Sequence, residues 1–202
     1  MSTLVLATRN AHKIEELHRI LTDAGLRDIA LVGVAAYPGV EDVVETGVTF
    51  VENARLKAHA VAAATGVAAI ADDSGLSVDV LGGAPGVFSA RWAGRHGDDL
   101  ANLELLLAQL ADVPDAHRGA HFACAAVLAL PDGTERVVEA RMTGTLIRAA
   151  RGSNGFGYDP IFVPDDETRT SAELTAAEKD TISHRGKAFR ALLPAVKDLL
   201  TP

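Results

Sequence analysis

The sequence predicts an α/β fold, a mixed β-sheet flanked by helices, in one domain (residues 1–202) with two lobes around a cleft. Three observations carry this expectation. An apolar run, Thr3 to Ala7, leads directly into a segment with helical spacing. Short apolar strands and helical stretches then alternate through the first half of the chain. Further on, two extended runs flank Pro131, Asp132 and Gly133, a hairpin signal that adds an antiparallel pair to the alternating pattern. A cleft between lobes is a favoured place for a ligand.

Thr3 to Ala7 reads as a buried strand, and Ile14, Leu17 and Leu21 mark the helix after it, which Gly25 stops. Ile29 to Val34 is the next strand, followed by an acidic loop from Tyr37 to Gly47. Thr49 and Glu52 form a capping box that opens a helix to about Thr65, with Gly66 as its stop. Val67 to Ala71 reads as a short strand that ends in a turn of Asp72, Asp73, Ser74 and Gly75, after which Leu76 to Val80 resumes extended structure. Gly82, Gly83, Pro85 and Gly86 make a loop. Leu100, Leu103, Leu107 and Leu110 mark a helix that Pro114 must follow. His121 to Leu130 and Glu135 to Thr143 are the arms of the hairpin. A Gly-rich loop, 152 to 157, leads to a strand from Ile161 to Val163, and the tail from Leu174 to Leu200 is helical with a break near Pro194.

The chain has 202 residues, 48% hydrophobic and 23% charged, enough to bury a sizeable core. No apolar run approaches the roughly 20 residues of a membrane-spanning helix. Thr3 to Ala7 meets Thr8, Arg9 and Asn10 too soon for a secretory signal, so a cytoplasmic protein with no membrane partner is expected. A net charge of −8 repels phosphate polymers and argues against nucleic acid as a partner. A small anion needs only a local cluster of donors or a bound cation. Cys124 is the one cysteine; it cannot form an intramolecular disulfide and reads as a core thiol.

Thr8, Asn10 and Lys13 fall in the turn after the first strand and the first turn of the next helix, where backbone N–H groups and the helix dipole favour phosphate; Asn10 serves equally as a plain N-cap. Asp72, Asp73 and Ser74 offer hard oxygen ligands suited to Mg²⁺, which keeps waters and bridges to substrate phosphates, or else form an exposed turn. Glu45 could add another ligand or be a surface acid. Phe156 and Tyr158, with Gly157 and Asp159, put two rings in a loop of a chain only 4% aromatic; a ring there can stack on a base, and core packing is the default for Phe156. Lys179, His184 and Arg185 form a basic cluster, with Ser183 as an N-cap before His184 and Arg185. The other histidines, His12 among them, have no metal-ligand spacing and read as surface or packing residues, so no zinc is expected. No Walker A or dinucleotide-binding glycine pattern is present.

Four segments in this order, Thr8-Arg9-Asn10-Ala11-His12-Lys13, Ala71-Asp72-Asp73-Ser74-Gly75-Leu76, Gly155-Phe156-Gly157-Tyr158-Asp159-Pro160 and Ser183-His184-Arg185-Gly186, resemble the inosine triphosphate pyrophosphatase family in its bacterial dITP/XTP pyrophosphatase form. Glu52-Asn53-Ala54 and Gly82-Gly83-Ala84-Pro85-Gly86 extend the resemblance, which runs from Thr3 to about Arg190. The resemblance implies an elongated mixed sheet with two lobes, a homodimer, Mg²⁺, and hydrolysis of non-standard purine nucleoside triphosphates between the α and β phosphates. It implies that the Thr8–Lys13 segment, with Arg9, Ala11 and His12, meets the substrate and that Thr8, Asn10 and Lys13 hold phosphates. Asp73 would act as general base or metal-linked acid, Glu45 and Asp72 would serve the metal, and Lys13 would join Asp73 in catalysis. Ser74, Phe156, Gly157, Tyr158, Asp159, Lys179, His184 and Arg185 would line the nucleotide pocket. The Arg185 guanidinium, with N–H donors and no acceptor, suits the C6 carbonyl of the base, or else salt-bridges a nearby acid. Val44 stands before Glu45, where some relatives carry a second acid. A Maf-like pyrophosphatase is a second reading, against which the His184-Arg185 pair and the Phe156 loop speak. A nonhydrolytic nucleotide-binding module is a third.

Overall fold

The structure, a computed structural model, describes residues 2–200. Its elements in chain order are β1 (Ser2–Leu6), α1 (Ala11–Asp23), β2 (Ile29–Gly33), α2 (Phe50–Thr65), β3 (Ala68–Val78), α3 (Asp99–Gln109), β4 (Gly119–Ala129), β5 (Glu135–Leu146), β6 (Phe162–Pro164), α4 (Ala176–Ile182) and α5 (His184–Leu200). The six strands are hydrogen-bonded neighbours in the order β2-β1-β3-β4-β5-β6. β1 is parallel to both β2 and β3, while β5 and β6 are antiparallel, so the sheet is mixed. Among the described residues no helix is long and apolar enough to cross a membrane.

The chain divides into two compact units, residues 1–73, 124–140 and 185–202 in the first and residues 74–123 and 141–184 in the second. In the first unit the alternation of strand side chains builds two cores. Leu4, Leu6, Ala68, Ile70, Cys124, Ala126 and Leu128 pack with Leu17 and Ile20 of α1 and Phe189 and Leu192 of α5. Their sequence neighbours Val5, Ala69, Ala71, Ala125 and Val127 pack instead with Ala54, Ala58, Val61 and Ala62 of α2. The α2 face is almost all alanine, which lets the helix lie close to the sheet. The second unit has its own core, in which Leu103, Leu106 and Leu110 meet Leu76, Val78, Phe122 and Phe162.

The order β2-β1-β3 makes β1 the point where the chain changes direction, since it moves to one side of β1 through α1 and returns on the other side as β3. Such a point opens a crevice beyond the carboxyl end of the central strand. Leu6 pairs with Ile70, and β3 runs on to Val78 after β1 has ended. The segment Thr8 to Lys13 and the β3 residues Ala71 to Asp73 therefore belong to the same end of the first unit.

Helix signals are realised as the sequence predicts. Thr49 accepts the Glu52 N–H in the α2 capping box, and Gly66 closes that helix with φ +68°, a value that only glycine adopts freely. Leu130 and Thr134 close the β4–β5 hairpin, where the Asp132 carboxylate accepts the Thr134 N–H. Four expectations are corrected. The predicted turn at Asp72 to Gly75 is instead the middle of one continuous strand, for reasons of charge given below. In α3 the buried stripe is Leu103, Leu106 and Leu110, and Leu100 is exposed. The short last strand lies one residue later than predicted, at Phe162–Pro164, after a 3-10 turn over Asp159–Ile161. The tail breaks at Ser183, which is extended, and α5 continues through Pro194 because Leu192 and Val196 on either side are held in the core.

Thr49→Ala removes the α2 cap without touching the core, so the urea midpoint should fall by the equivalent of about 1 kcal/mol with an unchanged m-value. An unchanged midpoint would show that α2 is held by packing alone.

Candidate active site

Successive residues of a strand point to opposite faces. Ile70 belongs to the α1/α5 core and Ala71 to the α2 core. Asp72 therefore follows Ile70 toward α1 and α5, and Asp73 follows Ala71 toward α2. Each carboxylate finds cations on its own side, and this is what allows two adjacent acids to continue a strand in place of a turn.

Asp72 is 3% exposed. Lys13 of α1 donates to both of its oxygens, at 3.0 and 2.8 Å, and Arg185 of α5 donates through Nε at 3.0 Å. Glu16, one turn along α1 from Lys13, lies 3.5 Å from Arg185 Nη1. Burial alone would raise the Asp72 carboxyl; Lys13, Arg185 and Lys57 outweigh it and hold the group well below the ordinary carboxylate range. Burial likewise lowers Arg185, and Asp72 and Glu16 more than compensate. Cys124 is buried beside this network, and burial, with Asp72 next, pushes its thiol up. It is a core thiol, as the sequence indicates.

On the opposite face, Asn53 Nδ2 donates to Asp73 Oδ2 at 3.0 Å, and Lys57 Nζ lies 3.7 Å from Asp73 Oδ1. Lys57 also donates to Glu45 Oε1 at 2.6 Å. Glu45 and Asp73 thus converge on one ammonium. Burial raises the Asp73 carboxyl, Lys57 opposes it, and Glu45 adds to it, for a net rise. Lys57 is pulled down by burial and pushed up by Asp73, Asp72 and Glu45, for a net rise as well. The pair Glu45 and Asp73 offers hard oxygens to a divalent cation. Among the described residues no three His, Cys, Asp or Glu side chains gather as a complete metal cage.

At the carboxyl end of β1, the Thr8 hydroxyl accepts the Asn10 N–H at 3.2 Å and the Asn10 carbonyl accepts the Ile14 N–H, so α1 begins at Ala11 as the capping pattern predicts. Arg9 is turned toward the acidic loop, donating to Asp42 and to the Val40 carbonyl. Ala11 is exposed in the first turn. The side chain of His12 lies outside the described residues.

In the second unit the loop residues 155–159 separate into two roles. Phe156 is 47% exposed, whereas Tyr158 is 3% exposed and donates its hydroxyl to the Ser89 carbonyl at 2.9 Å. The ring available for stacking is Phe156, and Tyr158 is core. Asp159 is buried, forms a short ion pair with Lys179 and accepts the Phe156 N–H at 2.9 Å. Lys179 Nζ also lies 5.4 Å from the Phe156 ring centre. The Gly157 N–H donates to Asp99. Gly155 has φ +75°, and a Cβ there would fall 2.1 Å from Asp159 Oδ2, so a glycine is required for the loop to fold over its own acid. His184 is buried and stacks on Phe122 with ring centres 4.9 Å apart. Ser74 is half-buried in β3.

The first unit accordingly gathers Lys13, Asp72 and Arg185 on one face of β3 and Glu45 and Asp73 on the other; the second gathers Phe156, Asp159 and Lys179. Asp72 does not share a face with Glu45 and Asp73, because strand alternation sends it to the opposite side. Arg185, 6% exposed, pairs with Asp72 and Glu16 and so acts as a counter-charge to buried acids. Sequence reasoning passed over Lys57 and Glu16, and named Asn53 within the Glu52-Asn53-Ala54 motif without giving it a role. Lys57 is four residues beyond Asn53 on a capped helix, and both therefore share a face; that spacing was the available signal.

The model of the Ham1 family matches residues 4–195. A dITP/XTP pyrophosphatase of Streptomyces coelicolor is 72% identical, over 99% of this chain and the whole of its own length. Among solved structures, the nucleoside-triphosphatase / dITP/XTP pyrophosphatase of Mycobacterium abscessus is 53% identical with a TM-score of 0.78, covering 96% of this chain and 99% of that one. A HAM1 protein from Coxiella burnetii is 40% identical with a TM-score of 0.89, covering 98% and 100%.

Because its folded carboxyl is depressed, Asp72 contributes stability that is fully present above its unfolded value, about pH 4, and is lost as pH falls toward the lower folded value. Asp72→Asn should cost about 3 kcal/mol at pH 7, the low end for breaking a buried ion pair, since Arg185 keeps Glu16. In urea titrations the gap between variant and wild type should narrow below pH 4. An equal gap at pH 3 and pH 7 would show that packing, not charge, is what the substitution removes.

Proposed function

This chain belongs to the Ham1 family, and we propose that it is a nucleoside triphosphate pyrophosphatase that hydrolyses dITP, ITP and XTP to the monophosphate and pyrophosphate, clearing non-standard purines from the nucleotide pool. The observation that carries the reading is the full-length likeness to relatives of that name, on a chain whose Glu45, Lys57 and Asp73 converge beside the middle of β3. The Thr8 to Lys13 segment stands at the N-terminus of α1 and suits phosphate oxygens. Phe156 offers an exposed ring for the base, set by the Asp159–Lys179 pair beneath it.

In the reaction a water oxygen bonds to the α-phosphorus, the bond between that phosphorus and the α–β bridging oxygen breaks, and the electron pair leaves with pyrophosphate. Asp73 takes the proton of the attacking water. Lys13 and Lys57 offset charge on the phosphate oxygens. Glu45 and Asp73 are the residues that fit Mg²⁺, a pair of carboxylates that leaves coordination positions for water and phosphate. The cation would supply neutralisation of the polyphosphate between these two acids. Two copies form a homodimer, and the enzyme works on the cytoplasmic nucleotide pool; exposed Val80, Phe88 and Leu100 give the second unit apolar surface for such a contact.

The test is a turnover panel of purine and pyrimidine triphosphates with and without Mg²⁺, with products identified. XTP, ITP and dITP should yield monophosphate and pyrophosphate, with ATP and the pyrimidines slower by on the order of 10²-fold or more. Release of inorganic phosphate as the first product would overturn the pyrophosphatase reading, and full activity in excess chelator would remove the metal. Asp73→Asn should lower kcat by about 10²- to 10⁴-fold; activity near that of the wild type would exclude Asp73 as the base.

A further inference from the structure

We propose that Asn53 is a positioning residue, whose single carboxamide ties Asp73 to the loop that carries Glu45 and so fixes the spacing of these two acids for hydrolysis. The inference rests on the pyrophosphatase reading. Asn53 is fully buried in the first turns of α2, a position where alanine or leucine would serve helix and core better. A buried carboxamide is tolerated only when paired. Both of its ends are paired to groups around the site. Oδ1 accepts the Gly47 N–H at 2.8 Å, and Nδ2 donates to Asp73 Oδ2 at 3.0 Å. The orientation follows from chemistry, since an N–H demands the oxygen and a carboxylate demands the amide nitrogen.

The loop side of the tie is equally constrained. A Cβ on Gly47 would lie 2.7 Å from Asn53 Oδ1 and 2.6 Å from Glu52 Cβ, so only glycine lets the backbone approach the helix this closely. Glu45, two residues before it, is held at its other end by Lys57. Asn53 and Lys57 are one helical turn apart and take different oxygens of Asp73, Oδ2 and Oδ1, which sets the rotation of the carboxylate as well as its place. Asn53 thus acts through Asp73 and Glu45, and a misplacement of about 1 Å at such groups can cost on the order of 10²-fold in rate.

The experiment compares wild type with Asn53→Ala, which loses both contacts, and Asn53→Asp, which keeps an acceptor for Gly47 but loses the donor to Asp73. We measure kcat and KM for XTP and dITP, the affinity for an α,β-methylene analogue of XTP, and cooperative thermal unfolding. The expected result for both variants is a fall in kcat of about 10- to 100-fold, with KM and analogue affinity changed by no more than about threefold. Gly47→Ala keeps Asn53 but crowds its Oδ1, and it should show the same loss confined to kcat; it decides the matter if the Asn53 variants do not fold. A kcat within about threefold of wild type in a folded Asn53 variant or in Gly47→Ala, or a loss confined to KM, overturns the proposal. Wild-type protein that turns over no nucleotide overturns the functional reading and this proposal together, whereas active wild type with unaffected variants overturns the proposal alone.

Discussion

Two adjacent carboxylates inside a strand must be neutralised from opposite directions, because consecutive strand side chains leave opposite faces of the sheet. In this fold that requirement decides which helices flank β3 and in what register. α1 and α5 bring Lys13 and Arg185 to Asp72, and α2 brings Asn53 and Lys57 to Asp73. Remove the cations, and burying Asp72 becomes a penalty of several kcal/mol that no amount of nearby alanine packing offsets. The strand continues past β1 because the charges are met.

The two faces differ in how completely they are settled. On the α1/α5 side an alternating chain, Lys13, Asp72, Arg185 and Glu16, satisfies each charge with its neighbour and drives the Asp72 carboxyl down. On the α2 side one ammonium faces two carboxylates, and burial, with Glu45 adding to it against Lys57, drives the Asp73 carboxyl up. The first arrangement suits structure and phosphate capture; the second carries an excess of negative charge and suits a cation and a proton acceptor. Position in the strand alone, even against odd, separates these two chemistries.

Local patterns were legible in the sequence. The capping box at Thr49, the stop at Gly66, the Pro131-Asp132-Gly133 hairpin and the start of α1 at Ala11 all depend on residues within a few positions of one another. The Asp72–Asp73 turn was misread for the opposite reason: two acids in sequence look solvent-exposed until their partners are known, and Arg185 is 113 residues away from Asp72. The roles of Lys57, Asn53 and Glu16 were missed on similar grounds, since each is unremarkable on its own helix and acquires a role only when the helix docks. The stripe in α3 was misjudged, because leucines at 100, 103, 105, 106, 107 and 110 allow more than one face to be apolar.

The inequality of the two cations on Asp72 bears on how a polyanion is received. Arg185 is buried and also held by Glu16, so its charge stays with Asp72. Lys13 is the more exposed of the two, with 18% of its side chain accessible, and sits at the opening of α1 beside Thr8 and Asn10. A phosphate arriving at that helix start can share the Lys13 ammonium while Asp72 keeps Arg185, so neither acid nor ligand is left without a counter-charge. A single cation could not serve both without leaving one unpaired, and an unpaired buried charge costs about 3–5 kcal/mol. The second, deeper cation would therefore keep Asp72 paired while the first turned to a phosphate.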